Sequence, residues 1–210
     1  MQRVGPVGGI ENEASIRAYR TVYRRLCSCW RGVWHLLGGG DYRLPARFLS
    51  YKGVAVSFIG IDPGKKGGIA IIDEGFVNAV PMPLAGKDID ARRLASLLST
   101  MPIDRPAVVI EKVHSMPKQG VASTFTFGTG FGILIGICAA LGYPMALVTP
   151  QTWKAEILKG TKRDKNAAIA FARMTFPMVD LIPAGCRTIS DGLADALCLA
   201  EYGRRRLGTR

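Results

Sequence analysis

Four carboxylates in this sequence have the surroundings and spacing to act together. Asp62 closes an apolar run and opens a Pro-Gly turn in "GIDPGKKGGIAII" (60–72), and Glu111 closes a second apolar run in "PAVVIEK" (106–112). Asp191 and Asp195 lie four residues apart in "SDGLADALCLAEYG" (190–203), so they share one helix face, one turn above the other. The residues around them, Gly192 to Cys198, are small or apolar, a composition of packed interiors rather than solvated faces. Three of the acids also have a bland explanation: Asp62 as a strand-end turn former, Asp191 as a match to the helix dipole, Asp195 as a solvent-facing charge. That account serves Asp195 least, because the dipole fades within the first turn and its neighbours are apolar.

Four acids converging beside an apolar core require cations. Oxygen-only ligands, with no His or Cys, select a hard ion such as Mg²⁺ or Mn²⁺. Two such ions, about 3.5–4 Å apart, hold both the attacking and the leaving oxygen of a phosphodiester. A net charge of +12 suits an anionic polymer as the substrate of such a centre.

The elements that must position these acids follow an α/β pattern. "VAVSFIGID" (54–62) and "GGIAIID" (67–73) predict a hairpin, and "FVNAVPM" (76–82) a third strand. "DIDARRLASLLST" (88–100) predicts an amphipathic helix, and "PAVVIEK" a buried strand. A Gly/Ser/Thr-rich loop over 115–126 follows, then a buried apolar helix to Leu141 and a fifth strand, "MALV" (145–148). Helices are expected near 150–158, 164–176 and 190–203, the last with Ser190 as N-cap and Gly203 as its stop. Strands that first pair antiparallel and then alternate with helices predict one mixed sheet with helices on both faces. In such a sheet Asp62 and Glu111 end neighbouring strands, where ligand sites gather.

The chain has 210 residues and 48% apolar content, enough for one core with an extension. Residues 1–51 hold eight arginines and no lysine, whereas 52–210 hold ten of each; the first stretch is read as an extension, targeting or non-native, and the second as the functional domain. Five cysteines without CxxC spacing, and two histidines far from zinc-ligand spacing, point to reduced thiols in a cytoplasmic-type compartment. The uncharged stretch 131–148 nears the length of a membrane span, but "GYP" (142–144) interrupts it, and no membrane partner is expected. "PGKKGG" lacks the spacing of a phosphate-binding Walker loop. Lys65 in that hairpin can reach a phosphate beside Asp62, and Lys118 lies in a donor-rich loop suited to a nucleic-acid backbone. Lys162, Arg163 and Lys165 cluster at a helix start, where free N–H groups favour phosphate. Gly128, Gly132 and Gly136 recur every four residues and predict a smooth helix face, packed on the core or on a second subunit.

Taken in order, "IGIDPGKKGGIAII", "VVIEKVHSMPKQG", "LVTPQTWK" and "DGLADALCLAEYG" resemble the RuvC family of Holliday junction resolvases, over about residues 55–203 and most closely in its bacteriophage-type branch. The resemblance implies an RNase H-like fold, a homodimer, and cutting of four-way DNA junctions with Mg²⁺ or Mn²⁺, two ions per site. It implies that Asp62, Glu111, Asp191 and Asp195 form the catalytic, metal-binding set and that Lys154 and Lys165 contact DNA. Two departures stand out. The familiar bacterial members set their last two acids one residue closer, and they carry an aromatic junction-wedging residue shortly after the glutamate, where this chain has His114, Ser115 and Met116. Other readings remain at this stage: an RNase H-fold nuclease acting on RNA or branched DNA, an actin-like ATPase or sugar kinase, and a catalytically silent DNA-binding module.

Overall fold

The computed structural model describes residues 57–101, 106–112 and 120–208. The expected extension over 1–51, its boundary at residue 52, and Lys118 lie outside these residues. The chain forms β1 (Phe58–Ile61), β2 (Gly68–Asp73), β3 (Phe76–Pro81), β4 (Leu84–Ala85), β5 (Asp88–Ile89), α1 (Ala91–Thr100), β6 (Ala107–Glu111), α2 (Val121–Ala140), β7 (Met145–Val148), α3 (Pro150–Ile157), α4 (Lys165–Thr175) and α5 (Asp191–Leu207). Five strands make the main sheet in the order β3-β2-β1-β6-β7. β1 runs antiparallel to β2 and parallel to β6, and β7 is parallel to β6. This is the mixed sheet expected from the sequence.

The two-residue alternation of the strands feeds two cores. Ile59, Ile61, Ile69, Ile71, Val108 and Ile110 pack with Leu94 and Leu98 of α1 and with Leu134 and Cys138 of α2. Ala70, Ile72 and Val109 pack on the other side with Trp153, Ala168, Leu193 and Leu197 of the last three helices. Each fully buried isoleucine contributes about 1.5–3 kcal/mol of transfer free energy, so a strand shifted by one residue would forfeit both cores at once.

Local signals start the helices. Asp90, Thr149, Asp164 and Ser190 each accept a hydrogen bond from a backbone N–H in the first turn of α1, α3, α4 and α5 respectively. Three expectations need correction. Gly203 does not stop α5, which continues to Leu207; a Cβ at Gly203 would lie 3.0 Å from Val109, so the glycine serves close packing on the sheet. Residues 121–126 belong to α2 rather than to a loop. Finally, α2 is not a buried helix: only Gly130, Leu134 and Cys138 are buried, while Val121 is 87% and Phe125 76% exposed. Gly128, Gly132 and Gly136 face away from the core, with nothing within 4 Å of a Cβ placed on any of them. By length and composition alone α2 is apolar enough to cross a membrane.

Candidate active site

Register brings the first two acids together. Ile61 of β1 pairs with Ile110 of β6 in parallel, so the next residues, Asp62 and Glu111, emerge side by side at the carboxyl ends of adjacent strands. Alternation sends them to the face of Gly60 and Val109, where α5 lies. That helix approaches very closely, because Gly60 has no side chain: a Cβ there would sit 2.1 Å from the Ala196 carbonyl oxygen. Gly192 has the same role at the start of α5, where a Cβ would fall 2.1 Å from the Lys66 carbonyl oxygen, and Gly192 bridges Gly67 in the hairpin turn. The backbone contact at these two glycines carries Asp191 and Asp195 to the end of β1.

The resulting cluster is electrostatically loaded. The Gly64 N–H donates to Asp62 Oδ1 at 3.1 Å, folding the Pro-Gly turn back on the acid. Burial nevertheless raises the Asp62 carboxyl to about 6, aided by the charges of Glu111 and Asp191 and opposed by Gly64 and Lys154. Asp195 is pushed further, to about 7, first by burial and then by the charges of Asp62, Glu111 and Asp191, with Lys154 opposing. Its Oδ1 is buried without a hydrogen-bond partner. Asp191 behaves in the opposite way: hydrogen bonding from Lys165 Nζ holds its carboxyl below the ordinary range. Glu111 Oε1 accepts from the indole Nε1 of Trp153 at 2.9 Å.

All four acids singled out in the sequence are therefore in one place, and Lys154 and Lys165 join them. Lys154 stacks over the Trp153 ring at 5.1 Å from its centroid. Lys165 is 75% exposed at its side chain and pairs with Asp191, so it belongs to the cluster as much as to any outer surface. Lys162 and Arg163 are exposed on the turn before α4. The α4 N-terminus already holds a carboxylate, since Asp164 Oδ1 accepts from the Ala167 N–H at 2.9 Å. Lys65 sits 3.9 Å from Asp88 and lines a cleft of about 610 Å³ with Pro63, Lys87, Ser123, Thr126 and Phe127. None of the four acids lines this cleft, which runs beside the cluster, on the α2 side of the Asp62 turn. Cys138 and Cys198 are buried, with their thiols pushed up by desolvation, and are poor nucleophiles.

No protein-family model matches the chain. A curated protein of Nitratidesulfovibrio vulgaris strain DP4, "Crossover junction endodeoxyribonuclease RuvC", is 30% identical over 165 residues, covering 73% of this chain and 94% of the relative. This chain belongs to the RuvC family. The protein of the same name from the Hildenborough strain is 28% identical over equal coverage. Among solved structures, T. thermophilus RuvC in complex with Holliday junction substrate superposes with a TM-score of 0.50 at 17% identity, over 71% of this chain and 95% of that one. The fold is thus RNase H-like, as expected, and family membership removes the ATPase and sugar-kinase alternatives.

RuvC-family nucleases depend on metal, and the cluster fits a hard cation. Among the described residues no three His, Cys, Asp or Glu side chains stand in ready-made ligand geometry. The fit lies in the chemistry of the donors. All are carboxylate oxygens, two of the acids are held above their ordinary range by burial and mutual repulsion, and a buried oxygen of Asp195 lacks any partner. A divalent cation suits such donors, relieves the crowded charge and gives the Asp195 oxygen a partner. The residue that sequence reasoning missed is Trp153, whose polar contact with Glu111 spans 42 positions.

Proposed function

We propose that this chain is a crossover junction endodeoxyribonuclease that resolves four-way DNA junctions by paired, metal-dependent hydrolysis. Residues 52–210 carry the nuclease and residues 1–51 form an extension. The observation that carries this reading is the buried, unpartnered Asp195 oxygen inside a four-carboxylate cluster of a RuvC-family chain. Asp62, Glu111, Asp191 and Asp195 hold the ions, which we take to be two Mg²⁺ or Mn²⁺ per site. When bound, such ions polarise the scissile phosphate and lower the pKa of the attacking water.

The remaining work belongs to the protein. Asp62 is held at a strand end by the Gly64 N–H, which restrains its carboxylate within the cluster. Lys154 and Lys165 offset part of the acids' charge, so an anionic backbone can approach the cluster. Lys65, Lys118, Lys162 and Arg163 contribute contacts to phosphates, with Lys65 in the cleft beside Asp62.

Paired incision requires two sites in a fixed relation, and α2 supplies the means. Val121, Phe125, Gly128, Gly132 and Gly136 fall on one stripe of the helix, opposite its buried residues, and this stripe holds no charge. A second copy of α2 closing on the glycines buries this face and gives a homodimer. The experiment is cleavage of a mobile four-way junction beside duplex, fork and RNA–DNA hybrid controls in Mg²⁺ and Mn²⁺. Symmetric nicks in the junction alone are expected. Preferential cutting of the hybrid or the fork makes this another kind of RNase H-fold nuclease, and no cutting at all makes it a DNA-binding module.

A further inference from the structure

The geometry points to Trp153 as a positioning residue that orients Glu111 towards the bound metal. This inference rests on the proposed function and assigns Trp153 a part in that same site.

Trp153 is fully buried, and its Nε1–H donates to Glu111 Oε1 at 2.9 Å. A buried indole N–H needs an acceptor, and the buried residues of the core that holds Trp153, Ile157, Leu193 and Leu197 among them, are apolar. The backbone brings the two residues together. Glu111 pairs with Val148, and the Lys112 N–H donates to the Val148 carbonyl at 2.7 Å. Thr149 then caps α3, and its first turn brings Trp153 round to the end of β6. The strand bearing the acid and the helix bearing the indole are thus joined by a ladder beside the site itself.

The chemistry of the donor matters. An arginine or lysine in this position would bind Glu111 as a salt bridge and compete with a cation for its charge. An indole N–H is neutral, donates once and accepts nothing, so it fixes one oxygen and leaves the charge and the other oxygen for metal. The same ring carries the Lys154 ammonium on its face, 5.1 Å from the centroid, and Lys154 acts electrostatically on both Asp62 and Asp195. One buried side chain therefore sets the direction of a ligand and the position of a cation.

The test replaces Trp153 with β-(3-benzothienyl)alanine, which keeps the shape of the ring and loses the N–H, and separately with Phe. Ile157→Ala, which opens a cavity in the same core while leaving the indole N–H in place, is the control for packing. Mn²⁺ affinity is read by calorimetry without DNA, and single-turnover cleavage of a four-way junction is read as a function of Mn²⁺. Both Trp153 variants are expected to bind Mn²⁺ about 10-fold more weakly or worse, and to need correspondingly more metal for half-maximal cutting, the usual cost of losing an outer hydrogen bond to a metal ligand. Junction affinity in metal-free buffer should stay within about twofold, because a neutral buried ring gives DNA no phosphate contact. Ile157→Ala should lower the melting temperature while keeping the wild-type Mn²⁺ affinity. Wild-type Mn²⁺ affinity in both Trp153 variants overturns the inference, and so does an equal loss in Ile157→Ala. A wild type that binds Mn²⁺ but cuts no junction contradicts the functional reading instead, while the calorimetric comparison still decides the role of Trp153.

Discussion

Replacing Asp195 with Asn should stabilise the metal-free protein, and by an amount that depends on pH. The Asp195 carboxyl titrates near 7 in the fold, against an ordinary value of 3.8. Because the folded value is the higher one, the folded state holds an extra proton between the two values. The stability that proton brings is complete below pH 4 and is lost as pH rises through 7. At about 1.4 kcal/mol per pH unit, the gap sets a ceiling of roughly 4 kcal/mol on the penalty of ionising Asp195 above pH 7. Screening from the open side of the cluster, and the coupling of this proton to that of Asp62, bring the expected effect to about 2 kcal/mol. Asn keeps the shape of the side chain and never carries the charge. In EDTA at pH 8 the variant should therefore melt about 4–8 °C above wild type, and the difference should shrink to roughly a quarter of that by pH 4.5. Adding millimolar Mg²⁺ or Mn²⁺ at pH 8 should raise the melting temperature of the wild type more than that of the variant. The assay is circular dichroism melting across pH 4.5–8.5 with and without metal. Parallel pH profiles, or an Asn variant less stable than wild type at pH 8, would refute the crowding of charge at Asp195.

Gly192→Ala forces a Cβ to within 2.1 Å of the Lys66 carbonyl oxygen, which only a backbone shift of α5 or of the hairpin turn can relieve. A loss of roughly 3 kcal/mol or more in urea denaturation is expected, and a loss under 1 kcal/mol would show that the helix does not rest on the hairpin. Gly132→Arg meets open space within one chain, so it should fold normally yet run as a monomer in light scattering; a dimer that persists would place the subunit interface elsewhere. Lys162→Ala should weaken junction binding across sequences and reduce the log–log salt slope by about one unit, with cleavage at saturating enzyme unchanged. An unaltered slope would remove Lys162 from the DNA surface.

Much of the site was legible because strand-end acids and helix-face acids obey short-range rules. Two apolar runs ending in Asp62 and Glu111 need only a parallel pairing to meet, and that pairing is what alternating strands and helices produce. Ser190 announced the start of α5 through its own hydroxyl, which accepts from the Leu193 N–H. What escaped the sequence depended on distant partners. Gly203 looks like a stop when only its neighbours in the chain are considered, yet the side chains of Val109 and Phe58 lie 3.0 and 3.3 Å from where its Cβ would be, so the glycine serves close packing on the sheet. The apolar composition of α2 suggested core, since composition does not tell a face buried in the monomer from one left uncovered; only three of its residues are buried. Trp153 reads as one more core aromatic, because nothing local marks its N–H as the partner of an acid 42 positions away.

Cleavage and binding by Asp62→Asn, compared on one labelled four-way junction, test the central claim most directly. Asp62 stands beside Glu111 at the end of β1, and Asn there removes one of the four charges proposed to hold the metal. The Asn side chain keeps the shape, and the lysines proposed to meet the junction and the α2 face proposed to join two copies are untouched. Gel-shift affinity in metal-free buffer should equal or exceed that of wild type. Single-turnover cleavage in Mg²⁺ should fall by roughly a thousandfold or more, equivalent to about 4 kcal/mol in the barrier. Cleavage retained in the Asn variant, with binding intact, would contradict the assignment of the four carboxylates as the metal-holding centre of this nuclease.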